Sequence, residues 1–95
     1  MPLFVFIGHD GADGATRRAA NRERHVAHLE ALDRTGQLVY GGPIRNDEDR
    51  SIGAILVLDA PDRAAAQAIV DRDPYVAAGV FERTELNRFV HVFPR

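Results

Sequence analysis

A chain of 95 residues with 45% apolar and 27% charged side chains has the make-up of one ordinary globular domain. Its net charge of -2, with 12 basic residues spread along the chain, makes nucleic acid and anionic membrane poor partners. Cysteine and lysine are absent, which excludes disulfides, thiolate catalysis, cysteine-ligated zinc and lysine Schiff bases.

Leu3 to Gly8 is a short apolar run with aromatic and β-branched residues, closed by Gly8 and the polar Asp10–Gly14 stretch, and it reads as a buried strand entering a loop. It has no basic n-region and stops too soon for a signal peptide or a membrane span, so the expected setting is the cytoplasm. From Ala15 to about Thr35 the pattern is helical, with Asp13 or Thr16 as candidate caps. Ala19, Arg22, Val26 and Leu29 share a face that Ala31 and Leu32 extend. His25 lies on or beside that stripe, Arg22 sits one turn above it, and Gly36 is the natural stop.

Gln37 to Ile44 reads as a strand whose Gly41-Gly42-Pro43 segment implies a bulge or a close approach by a ligand or another backbone. Arg45–Arg50 is an exposed charged turn, and Ile52–Leu58 is a second apolar run of strand length. Asp62 caps a helix from Arg63 to about Asp71 with Ala65, Ala68 and Ile69 inward. Asp73 precedes Pro74 and is pushed out of helical geometry, so the helix ends there. Tyr75–Gly79 is a compact connector, and Phe81–Phe93 alternates as a long last strand.

The order is β-α-β-β-α-β within a single domain over residues 1–95: an α+β, ferredoxin-like fold with a four-stranded antiparallel sheet and two helices on one face. Phe89, Phe93 and the alternating valines imply an apolar second face. A chain this short buries only roughly 60–65% of its unfolded surface, so packing two copies sheet to sheet is the economical cover. A homodimer is expected.

His25 is either a satisfied helix histidine or a general acid or base, since imidazole titrates near neutrality. Asp73 faces the negative end of its helix dipole together with Asp71, so local helix stability does not account for it, although Asp-Pro also begins turns. His28, at i+3 from His25, would complete a metal site with Asp10 or Asp73, or simply face solvent. No metal is expected. His9 and His91 read as surface or strand-edge residues. Asp10 and Asp13 suit loop and capping roles, with Asp10 at a strand end where sites gather. Arg22 is a solvated helix residue or an anion holder, Gly42-Pro43 a turn or a site wall, and Tyr75 core or a pocket lid with a hydroxyl. Ser51, the only serine, has no nucleophile-elbow setting, and no Gly-rich phosphate loop occurs.

Arg22-x-x-His25, Gly36, Gly42-Pro43 and Asp73-Pro74-Tyr75 with Gly79-Val80, in this order, resemble the YCII-related (YciI-like) family over nearly the whole chain. The stretch Asp73–Val80 is the most specific part. The resemblance implies a fold of the dimeric α+β barrel type and an active site built on a His–Asp pair, here His25 and Asp73. It also implies chemistry like that of a dehydrochlorinase acting on a chlorinated hydroxyhydroquinone, with muconolactone isomerases among the fold's cousins. His28 lies outside the family pattern.

These readings converge on His25 as general base or acid oriented by Asp73, with Arg22, Gly42, Pro43, Tyr75 and Asp10 around a small-molecule substrate and no cofactor. Elimination or isomerisation on a small cyclic or aromatic-derived substrate fits such a dyad. The alternative is a non-catalytic dimeric domain that binds a small ligand or a partner protein, the His–Asp pair being a strut between helices.

Overall fold

The structure, a computed structural model, describes residues 2–95. Its elements are β1 (Leu3–Asp10), α1 (Gly14–Arg34), β2 (Leu38–Arg45), β3 (Ser51–Asp59), α2 (Arg63–Arg72), α3 (Pro74–Ala77) and β4 (Phe81–Phe89). The four strands form one sheet in the order β2-β3-β1-β4, every neighbouring pair antiparallel. This is the ferredoxin-like α+β arrangement that the chain order predicts. Among the described residues no helix is long and apolar enough to cross a membrane.

β1 is central and alternates: Phe4 and Phe6 are buried under the helices, while Leu3, Val5 and Ile7 look to the outer face. Phe6 stands opposite Leu56 on one side and Leu86 on the other, and with Leu32, Leu58, Ile69 and Val70 these residues form the core. β1 runs two residues further than the sequence implies, so Asp10 ends a strand rather than sitting in a loop. At that end the pairing with β4 slips, and Asp10 faces Phe81 instead of Glu82. Such a bulge re-aims a side chain. Here it turns the Phe81 ring onto Phe6, with ring centroids 5.7 Å apart, and over Gly8, where a Cβ would lie 2.7 Å from that ring.

α1 spans 21 residues and ends as expected: Gly36 has φ +76°, and Gln37 N–H donates back to the Leu32 carbonyl. At its start, Asp13 occupies the cap position without a side-chain cap hydrogen bond. α2 is capped by Asp62, which accepts from Ala65 N–H at 2.8 Å. It buries Ala66, Ile69 and Val70 and leaves Ala68 exposed, a correction to the expected Ala65–Ala68–Ile69 face. The i, i+3, i+4 set that wins is the one that carries Val70 inward along with Ile69.

β4 stops at Phe89, four residues short of the expected end, because its partner β1 begins at Leu3, opposite Phe89. Val90, Val92 and Phe93 lie beyond the strand and are exposed, so they do not line the outer face as the alternation implied. That face instead carries Val5, Ile7 and Ile55 with the exposed Tyr40 and Ile44, while β4 contributes Glu85, paired with His9 at 2.8 Å.

Candidate active site

Pro74 holds Asp73 extended, at φ −66° and ψ 122°, so α2 ends there and the four-residue α3 begins. Asp73 is thereby both the last cap of α2 and the N-cap of α3, accepting from Tyr75 N–H at 2.9 Å. The cost of a carboxylate at the end of α2 is offset by the capping of α3, a local reason that reading Tyr75–Gly79 as a plain connector hides. The same oxygen, Oδ1, lies 2.7 Å from His25 Nδ1, reached from the fourth turn of α1. A carboxylate acceptor makes Nδ1 the protonated nitrogen, and Nε2 is left for the cavity that His25 lines. Asp73 is 2% exposed and the His25 side chain 14%.

Tyr75 is buried and stacks on the imidazole, with centroids 3.7 Å apart and planes within 6°. It lines the cavity as a wall, and the guanidinium carbon of Arg18 lies 5.2 Å from its ring centroid. Its hydroxyl has no protein partner among the described residues.

Arg18 is the residue that the sequence reading missed. It lies seven positions before His25 and four before Arg22, so helical spacing alone places all three along one side of α1. Its Nε and Nη2 donate to the two oxygens of Asp10, each at 2.8 Å, and Nη2 also donates to the Gly53 carbonyl at 2.9 Å. These bonds to Asp10 raise the Arg18 pKa above its ordinary value against the opposing pull of burial. Gly14 makes room for the carboxylate: a Cβ there would lie 2.6 Å from Asp10 Oδ2. Both Asp10 oxygens are thus engaged, and Asp10 bears on the cavity through Arg18.

A cavity of about 190 Å³ opens beside His25 and is lined by Arg22, Gly42, Pro43 and Tyr75 as well as Asp73. Through Arg18, Arg22 and Tyr75, which line both, it continues into a wider chamber of about 600 Å³ over the first turns of α1, and Asp10 lines that chamber alone. Ala19 and Arg22, expected on the core face, are exposed on this wall, since the packed interior stops at Val26. Arg22 makes no hydrogen bond or ion pair among the described residues. Of the two glycines in β2, Gly41 answers to close approach, since a Cβ there would lie 2.5 Å from the Leu56 side chain, whereas nothing lies within 4 Å of one at Gly42. Phe81, Ser51, Asn46 and Arg50 also reach these chambers, and only the bulge and the folding back of the β2–β3 turn bring them there.

His28 is half-buried rather than turned out to solvent. Its Nε2 is buried without a partner, and the ring lies beside the Ile69 backbone of α2. Burial pushes its pKa below the ordinary 6.5; Asp73 pulls it upward, while His25 and Arg72 add to the lowering. The unfolded chain therefore binds this proton more readily, and the neutral ring's contribution to stability is complete above about pH 6.5 and lost as pH falls below it. Urea midpoints at pH 7.5 and 5.5 are expected to differ less in His28→Leu than in wild type. An equal difference in the two proteins sinks this assignment. Among the described residues no group of three or more His, Asp or Glu side chains is placed to hold a metal ion.

The YCII-related domain family matches residues 2–90. Protein YciI of Escherichia coli is 36% identical over 97 residues, covering 96% of this chain and 99% of that protein. Among solved structures, 5-chloro-2-hydroxyhydroquinone dehydrochlorinase (TftG) from Burkholderia phenoliruptrix, in complex with 2,5-dihydroxybenzoquinone, superposes with a TM-score of 0.83 at 27% identity, over 95% of each chain. SnoaB, a cofactor-independent oxygenase from Streptomyces nogalater, shares the fold alone, with a TM-score of 0.52 and 18% identity over 99% of this chain and 97% of that one.

Proposed function

The chain belongs to the YCII-related family, and from that premise we propose that it is a small enzyme that uses His25 and Asp73 for general acid–base proton transfer on a ring substrate. The observation that carries the reading is the 2.7 Å contact between His25 Nδ1 and a buried Asp73, which leaves Nε2 as the free nitrogen beside a cavity. Similarity to a dehydrochlorinase supports elimination as the reaction type.

In this scheme Nε2 takes a proton from an acidic O–H or C–H of the substrate. For elimination, the proton lost comes from the C–H next to an sp3 carbon–chlorine centre in the keto tautomer of the ring. Its electron pair becomes the C=C between those two carbons while the carbon–chlorine bond breaks and chloride leaves with its electrons. For isomerisation, the same proton returns to a different carbon. Asp73 fixes the tautomer and stabilises the imidazolium that forms, and the stacked Tyr75 holds the ring plane. Arg22, on the cavity wall without an acid partner among the described residues, stabilises oxygen that gains charge. No step calls on a cofactor.

Chloride release from 5-chloro-2-hydroxyhydroquinone tests the reaction class, and ¹⁵N NMR of His25 tests the dyad. Wild type is expected to release chloride faster than the uncatalysed reaction and to hold the proton on Nδ1. Asp73→Asn is expected to shift the tautomer signal and slow release. A His25 signal unmoved by Asp73→Asn rules out the dyad; a ligand bound without turnover leaves a binding domain instead.

A further inference from the structure

The two chambers differ in size and in part of their lining: each has three arginines, Arg18 and Arg22 being common to both, with Arg45 in the inner and Arg50 in the outer one. The inner one, about 190 Å³, is walled by Phe6, Val26, Leu29, Leu56 and Phe81 around the dyad. An apolar cavity of roughly 150 Å³ accepts a benzene molecule, so this chamber has the size of one ring. The outer one, about 600 Å³, is far larger than that ring needs. Arg18, Arg22, Ser51 and Tyr75 border both, so a single molecule can occupy the two at once.

Among the described residues, the arginines lining the two chambers are Arg18, Arg22, Arg45 and Arg50, and the carboxylates are Asp10 and Asp73. Both acids are already committed, Asp10 to Arg18 and Asp73 to His25. Arg45 has the exposed Asp49 at 3.2 Å, outside the lining. Arg50 has no acid partner for its side chain among the described residues. Beside it, Asn46 Oδ1 accepts from the backbone N–H groups of Glu48 and Arg50, each at 3.0 Å, so the Asn46 amide N–H₂ is the part left to donate. The outer chamber thus holds, among the described residues, one arginine of its own without an acid partner and an amide with its N–H₂ left to donate, in a chain whose net charge is -2.

We propose that the outer chamber is an anion subsite, and that the substrate is a ring compound carrying a pendant carboxylate: the ring beside His25, the carboxylate against Arg50 and Asn46. This deepens the acid–base reading above and rests on it for the placement of the ring. Guanidinium is the side chain best matched to a carboxylate, and its planar fork favours a fixed docking pose. Arg22, at the junction of the chambers, remains with the reacting end.

The test compares 3-phenylpropanoate with 3-phenylpropanol, probes that differ at the anion, by NMR titration of wild type, Arg50→Gln and His25→Ala. The carboxylate is expected to bind wild type about 10-fold more tightly than the alcohol at low salt, the size of one charge-assisted contact. Arg50→Gln is expected to remove most of that preference, as is salt of about 1 M, where the screening length falls to roughly 3 Å. His25→Ala is expected to keep it. Equal affinities for the two probes, no binding of either, or a preference unchanged in Arg50→Gln overturns the proposal. Failure of the dyad reading looks different: the His25 tautomer signal ignores Asp73→Asn while the carboxylate preference stands.

Discussion

His25→Ala is expected to slow chloride release by about 10²–10⁴-fold, the contribution of one positioned general acid or base, while the protein stays folded. The two halves of that expectation come from different contacts. Loss of rate follows from removing the nitrogen left free by the 2.7 Å contact with Asp73. Retention of the fold follows because Asp73 Oδ1 still accepts from Tyr75 N–H and still caps α3. The buried carboxylate does lose one partner, which costs about 1–3 kcal/mol, against a total stability of roughly 5–14 kcal/mol for a domain of this length. Added imidazole is expected to restore part of the rate, since the substitution leaves space beside Asp73 for a small base; a structural strut would not be rescued this way. A His25→Ala protein that keeps its rate within a few-fold, or that unfolds outright, ends the acid–base reading and leaves the pair as a strut between α1 and the α2–α3 junction.

Most of the fold is legible in the sequence because its signals are local. Gly36 past the end of α1, Asp62 before α2 and the Asp73-Pro74 break each work through a residue's own backbone preference, and the helix boundaries follow within a residue or two. Failures occur where the outcome depends on a neighbour in space. Phe81–Phe93 alternates well enough to be one strand, but a strand needs a partner, and among the described residues the pairing with β1 ends at Leu3 opposite Phe89. Ala19 and Arg22 fit an apolar helical stripe, but nothing packs beneath them. Of the candidate site, His25, Arg22, Gly42, Pro43, Asp73 and Tyr75 meet around one cavity, reached from both ends of the chain. Arg18 went unread because an arginine on a helix looks solvated until Asp10 arrives from β1 and Gly53 from β3, contacts that no spacing within α1 reveals.

Arg18→Leu is expected to cost about 3–5 kcal/mol, the scale for breaking a buried ion pair from one side. The Arg18 and Asp10 side chains are 14% and 8% exposed, so the carboxylate left behind recovers only the hydration that the outer chamber supplies. The Gly53 carbonyl and both Asp10 oxygens lose their donor together. For a chain of this size each kcal/mol lowers Tm by roughly 4–8 °C, so thermal unfolding followed by circular dichroism reads the effect directly. Adding Asp10→Asn to Arg18→Leu is expected to recover a large part of the loss, because the stranded charge disappears even though the hydrogen bonds do not return. A cost below about 1 kcal/mol is what a solvent-exposed pair would give and rejects the assignment. Arg18→Lys separates charge from shape. Lysine keeps the countercharge, and so most of the stability, but a single ammonium cannot span both Asp10 oxygens and Gly53 while also reaching over the Tyr75 ring. Tyr75 then loses the guanidinium over its ring, and His25 stacks on Tyr75 at 3.7 Å. Arg18→Lys is therefore expected to lower kcat while leaving Tm nearly in place, which marks Arg18 as a positioning residue that acts on the base through one intervening ring.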